Sequence, residues 1–189
     1  MNNSAVNILK GNLWTNNPVF IQVLGICSTL AVTNNLTNTL IMSLGLIFVT
    51  GFSNFTLSVL KNLIPDRVRM IIQTLVIAFY VIIVDIILRA YLPEVSKSLG
   101  PYVGLIITNC IIMGRAEAFA RSNPPFISFW DGITSGIGYM WVLLVIAFLR
   151  ELTGFGTVFG ITVMPEFFTK WTIMVMPPSA FFLLGTLVW

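Results

Sequence analysis

The chain has 189 residues, a mean hydropathy of +0.93, 57% hydrophobic residues, 9% charged ones and a formal net charge of +3. Soluble domains carry roughly 25% charged residues, so this composition excludes a soluble globular enzyme and a disordered chain and leaves a polytopic membrane protein. There is no His and there are only two cysteines, Cys27 and Cys110, which sets aside imidazole catalysis, His metal sites and a disulfide framework.

The first seventeen residues lack a signal-peptide layout: Lys10 could serve as a basic start, but no small-x-small cleavage site follows. Leu24-Gly25-Ile26-Cys27 faintly suggests a lipoprotein cleavage site, and the bulky Ile26 before the cysteine argues against it. From 11 to 60 no residue is charged, room for two spans of about 20 residues. The polar group Thr33, Asn34, Asn35, Thr37, Asn38 divides that stretch into spans near 18–33 and 39–60. A charged hinge follows, with Lys61, Pro65, Asp66, Arg67 and Arg69. Further spans are predicted at 70–92, 99–121, 128–149 and 171–189, the fifth stopping at Arg150-Glu151 before a Gly-rich connection over 153–170. Six spans take about 120 residues, so 1–189 reads as a single integral membrane domain. Lys10, Lys61, Arg67, Arg69, Arg115 and Arg121 would lie on one side, against Arg89, Lys97, Arg150 and Lys170 on the other. Six against four favours both termini in the cytoplasm. Trp130, Trp141, Trp171 and Trp189 fall mostly near span ends, as interfacial aromatic belts do.

The first and fourth spans do not read as plain lipid-facing helices. The first holds Gly25, Cys27, Ser28, Thr29 and Thr33, and the fourth holds Thr108, Asn109, Cys110 and Gly114 before Arg115 and Glu117. Interrupted spans at matching places point to an all-α membrane fold built of two inverted three-helix repeats, with helices 1 and 4 broken. Cys27 and Cys110 would then approach each other from opposite faces. Each could be a small apolar filler. The functional alternative is thiolate ligation of iron or an iron–sulfur cluster. A [2Fe–2S] cluster takes four thiolates, and this chain offers two, so a second chain would have to supply the others, as a homodimer or as a related partner. A disulfide between the two is disfavoured at a buried site facing a reducing cytosol.

Among the ionisable residues, Asp85 is expected to pair with Arg89 four positions on, near the membrane edge. Arg115 and Glu117 read as a local ion pair and interface anchor. Asp131 with Gly132, Gly136 and Gly138 reads as a close helix-packing stripe.

Two stretches carry a resemblance that extends over nearly the whole chain. Val23-Leu24-Gly25-Ile26-Cys27-Ser28-Thr29-Leu30-Ala31-Val32-Thr33 and Gly104 through Phe119, which includes Thr108-Asn109-Cys110-Ile111-Ile112-Met113-Gly114-Arg115-Ala116-Glu117, resemble the two signatures of one family. That family comprises the D-type subunit of the sodium-translocating NADH:quinone reductase (Nqr) and the E-type subunit of the related Rnf complex. Phe52-Ser53-Asn54-Phe55, Ile64-Pro65-Asp66-Arg67-Val68-Arg69, Phe148-Leu149-Arg150-Glu151-Leu152-Thr153-Gly154 and Pro178-Ser179-Ala180-Phe181-Phe182 agree with it too, and the wording is more like the Nqr member. At the C-terminus the chain departs from the pattern, ending at Trp189 where relatives continue with a short charged tail.

The resemblance implies a six-span inner-membrane subunit paired with a homologous six-helix E-type subunit of inverted topology. The pair would hold a [2Fe–2S] centre, or iron, with two cysteines from each chain, here Cys27 and Cys110. It implies further partners in subunits A, B, C and F, which carry FAD, FMN, riboflavin and the quinone (ubiquinone) site, and electron flow from NADH to quinone coupled to Na+ export. The chain would be catalytic only within that complex. No Gly-rich phosphate loop follows a strand, so NADH binding is expected elsewhere. The alternatives are the Rnf member, working with ferredoxin and NAD, and a small secondary carrier with the cysteines as filler. No nucleic-acid partner is expected; the surroundings are the lipid bilayer.

Overall fold

In the computed structural model the described residues are 19, 24–33, 35–65, 67–91, 93–154, 156–158, 161–162 and 176–189. The predicted spans at 18–33 and 171–189 lie in part outside these residues, as do Trp171 and most of the 153–170 connection. The helices are α1 (Ile26–Val32), α2 (Leu36–Leu60), α3 (Arg69–Tyr91), α4 (Pro93–Ile107), α5 (Cys110–Arg115), α6 (Pro125–Gly154) and α7 (Pro177–Val188), with a π-helical turn over Ala116–Ala120. A two-residue antiparallel pair, Thr157–Val158 with Ile161–Thr162, is the only other regular structure among the described residues.

Four segments are long and apolar enough to cross a membrane: Leu36–Leu60, Arg69–Tyr91, Tyr102–Ala120 and Pro125–Gly154. Prolines mark the helix starts at Pro93, Pro125 and Pro177, where the missing N–H costs nothing. Hydroxyls inside the spans are satisfied by their own helix: Thr50 donates to the Leu46 carbonyl at 2.6 Å and Thr153 to that of Leu149 at 2.7 Å. Without water to compete, such back-bonding lets a polar side chain sit in an apolar helix.

The centre of the molecule is the antiparallel pair α2–α6. In lipid the hydrophobic effect does not draw helices together, so close approach depends on small residues. Gly132 and Gly136 provide it. A Cβ on Gly132 would stand 2.8 Å from the Thr50 carbonyl oxygen and 3.0 Å from the Gly51 Cα, and one on Gly136 would stand 3.1 Å from the Ile47 Cα. The stripe read in the sequence is therefore a helix contact. Phe52 and Phe129 close its flank edge to face, with ring centroids 5.5 Å apart. By contrast α3 buries little beyond Gln73, Ile77 and Val81, and presents Ile71, Leu75, Phe79, Ile82 and Ile86 outward.

The ends of the central pair make reciprocal ties. At one end Ser58 Oγ and Lys61 Nζ donate to the Asn123 carbonyl at 2.8 and 3.0 Å, gripping the turn that precedes α6. At the other, the Glu151 carboxylate accepts from the Leu36 N–H at 2.7 Å and Arg150 donates to Thr33 Oγ1 at 2.5 Å, gripping the turn that precedes α2. The fifth span is expected over 128–149; the helix α6 that carries it continues to Gly154 and takes Arg150 and Glu151 into buried positions. Their charges are accepted inside because the α1–α2 turn offers hydroxyl and N–H partners.

Candidate functional site at two helix breaks

Both cysteines sit in the first turn of a short helix that follows a break. Before α1, Gly25 is left-handed (φ 84°, ψ 16°), a conformation that needs no strain only in glycine. Thr29 closes the turn through its N–H and its Oγ1, both on the Gly25 carbonyl. Gly25 has no side chain to cap the helix, so no side-chain cap bond is made there. Before α5, the chain leaves α4 at Thr108 and turns through Asn109, which is extended (φ −68°, ψ 121°). Asn109 Oδ1 accepts from the Ile111 N–H at 3.2 Å, a side-chain N-cap.

The two breaks touch. Asn109 Nδ2 donates to Ser28 Oγ at 2.9 Å, joining the cap of one cysteine helix to the first turn of the other. A Cβ on Gly25 would lie 2.9 Å from Ile111 Cδ1, and one on Gly114 would lie 2.9 Å from Leu24 Cδ1. The contacts 24–114, 25–111 and 28–109 bring the segment 24–28 against 109–114 in antiparallel order. Tyr139, wholly buried on α6, lies across the junction: its hydroxyl donates to the Gly25 carbonyl at 3.3 Å, with Ser28, Thr29 and Asn109 around it. Cys27 is exposed and Cys110 half-buried, and both thiols are free.

Among the described residues no three or more His, Cys, Asp or Glu side chains gather as a metal site. What the breaks present is two thiols, half the number that a four-thiolate centre takes. The residues fit one half of such a group and not the whole.

The charged residues near the site are arranged differently from the sequence expectation. Arg115 and Glu117 do not pair with each other, because side chains two apart on a helix diverge. Arg115 instead forms a bidentate ion pair with Asp131 of α6, Nε to Oδ2 at 3.0 Å and Nη2 to Oδ1, with the two side chains 7% and 0% exposed. The guanidinium also stands over the Phe119 ring, 5.4 Å from its centroid. Asp131 is thus an ion-pair partner and not part of the packing stripe. Glu117 turns to α3, accepting from Arg69 at 2.6 Å and Gln73 Nε2 at 3.2 Å, and to Arg121 at 3.4 Å. Asp85 does pair with Arg89, at 2.9 Å.

Sequence reasoning missed Tyr139. A phenol in an apolar helix has no spacing signature, and only the fold reveals what its hydroxyl reaches. Gly25 and Thr108-Asn109 were legible as breakers between apolar runs.

Helices that bury ion pairs and carry two touching breaks, each followed by a cysteine in the next turn, define a polytopic helical membrane protein. The profile of the family described as "Rnf-Nqr subunit, membrane protein" matches residues 5–188, and the chain belongs to that family. It is similar to proteins named as the D-type subunit of the Na(+)-translocating NADH-quinone reductase: 50% identical over 96% of this chain and 84% of the relative in Pseudomonas paraeruginosa, 51% over 96% and 89% in Pseudoalteromonas atlantica, and 50% over 96% and 90% in Proteus mirabilis.

Proposed function

We propose that this chain is the D-type membrane subunit of a Na+-translocating NADH:quinone oxidoreductase, and that Cys27 and Cys110 supply two of the four thiolates of an iron–sulfur centre. A homologous six-span E-type subunit contributes the other two, and subunits A, B, C and F carry FAD, FMN, riboflavin and the quinone site. The assembly lies in the bacterial inner membrane, with both termini of this chain cytoplasmic. The six spans form two inverted three-helix repeats; the antiparallel order in which 24–28 meets 109–114 and the reciprocal ties at the ends of α2 and α6 support that arrangement.

The observation that carries the reading is the junction itself: two free thiols on two adjoining helix starts, tied by Asn109 and Ser28 at 2.9 Å. When bound, such a centre supplies a one-electron relay within the roughly 30 Å hydrocarbon core. The chain's own residues do the rest. Asn109 and Ser28 fix the two cysteine turns relative to each other, and Tyr139 pins the Gly25 carbonyl so that α1 starts at a set place. Buried Ile111 and Ile112 back α5 with apolar surface and keep water off that side. Outer partners of this kind orient ligands and tune them.

The test is iron per assembly, in membranes solubilised with the full complex intact. Cys27→Ala and Cys110→Ala should each lose the iron held between this chain and its partner, and electron transfer to quinone should stop while NADH oxidation by the peripheral flavin continues. Unchanged iron with normal quinone reduction in both variants would overturn the reading and leave the cysteines as packing residues.

A further inference from the structure

We infer that the basic end of the α2–α3 pair is a binding site for one anionic phospholipid, its headgroup in a polar cavity and an acyl chain in an apolar groove on the outward side of the same two helices. The inference is independent of the cysteine junction. The cavity measures about 380 Å³ and lies between the end of α2, the 61–65 hinge, the start of α3 and the π-helical turn. Lys61, Arg69 and Arg121 line it. Among the described residues Glu117 opposes them, through its bonds to Arg69 and Arg121. In the hinge sequence Asp66 is matched by the adjacent Arg67, so this end of the chain keeps an excess of positive charge. That excess suits a phosphate; basic pockets between membrane helices are where such headgroups bind. The wall also contains Gln73, a 3% exposed residue whose Oε1 has no hydrogen-bond partner among the described residues. A buried acceptor without a donor costs free energy, and a headgroup bearing hydroxyls as well as phosphate would bring that donor. Phosphatidylglycerol is the simplest lipid with both.

The chemistry differs on the outward side of the same two helices. Leu75, Val76, Phe79 and Ile82 of α3 line a groove of about 520 Å³ with Thr56 of α2 and Tyr80. The two hydroxyls in that wall bond to each other at 2.7 Å, so the groove shows hydrocarbon to whatever occupies it. A cationic cavity at the end of a helix pair whose outward side carries an apolar groove suits an amphiphile. A free phosphate uses the first and has no use for the second.

The experiment uses the membrane assembly purified in mild detergent through this chain, with its co-purifying subunits. Native mass spectrometry counts bound lipid, and lipid-depleted samples are titrated with phosphatidylglycerol, phosphatidylcholine or inorganic phosphate. Lys61→Gln with Arg121→Gln should weaken phosphatidylglycerol binding about thirtyfold. Leu75→Trp, at a 69% exposed position where folding is undisturbed, should fill the groove and reduce occupancy with every cation intact. Phosphatidylcholine should not compete. Equal phosphatidylglycerol retention in all three proteins would overturn the inference. So would full protection by inorganic phosphate with no effect of Leu75→Trp, which would mean a free-phosphate site. Loss of another subunit from the Lys61/Arg121 variant with lipid unchanged would assign the cavity to that subunit's carboxylates and also overturn it.

Discussion

At Gly25 the backbone is left-handed and the space where a Cβ would go is taken, 2.6 Å from Tyr139 Cε2 and 2.9 Å from Ile111 Cδ1. Gly25→Ala therefore combines a conformational cost of about 1–2 kcal/mol with overpacking of about 1–3 kcal/mol. Thermal unfolding in detergent should show the loss, and because Tyr139 and Ile111 flank both breaks, the cysteine turns should shift with it. Asn109 has two bonds to lose. Asn109→Ala removes the cap on Ile111, worth about 1 kcal/mol, and the link to Ser28. A double-mutant cycle with Ser28→Ala should return a coupling of about 0.5–3 kcal/mol; zero coupling would mean that the two turns are held by packing alone. Arg115→Ala leaves the buried Asp131 carboxylate uncompensated and should cost about 3–5 kcal/mol. Removing both with Arg115→Ala and Asp131→Ala should be milder than removing Arg115 alone, a comparison read from unfolding midpoints of the two variants.

Between elements the decisive distances are at glycines, and they differ in kind. Gly132 meets backbone atoms of α2, which cannot rotate aside, whereas a Cβ on Gly104 of α4 would find nothing within 4 Å among the described residues. Gly132→Ala should push α2 and α6 apart at the level of Asp131, loosening the Arg115 pair as well. Gly104→Ala should be neutral or stabilise by about 0.5–1 kcal/mol, since an open helical position gains from the lost chain entropy of glycine. Matching denaturation curves for the two variants would contradict the packing argument. The same contrast explains what was legible in the sequence. Small residues at 132, 136 and 138 announce a close helix contact, yet nothing in their spacing says that α2 is the partner.

For the whole molecule, the ties at the two ends of α2 fix which loops share a side. Lys61 reaches the Asn123 carbonyl, so the 61–65 hinge and the 121–124 turn stand together. Thr33 and Leu36 meet Arg150 and Glu151 at the opposite end. Single cysteines introduced at exposed Asn62 and Ser122, in a chain lacking Cys27 and Cys110, should react with an impermeant thiol reagent from one side of the membrane, and one at exposed Asn35 from the other. Labelling of Asn62→Cys and Asn35→Cys from the same side would break the arrangement. Grouping the basic loops by lysine and arginine count anticipates the first half of this, because Lys61, Arg69 and Arg121 do gather at one end.

Composition and the spacing of charges were enough to establish a helical membrane protein, and the small and polar residues around Cys27 and Cys110 pointed to interruptions of their spans, which the structure places at Gly25 and Asn109. These are local matters: apolar length, turn residues and the cost of burying charge act along the chain. The Asp85–Arg89 pair was legible for the same reason, being one helical turn apart. Which charges neutralise each other across helices was decided only in three dimensions. Arg115 stands two residues from Glu117 and sixteen from Asp131, and the helix geometry that separates the first pair brings the second together. Tyr139 likewise lies 114 residues from the Gly25 carbonyl that it holds. A buried polar group takes the nearest partner in space, and distance in space is set by helix packing.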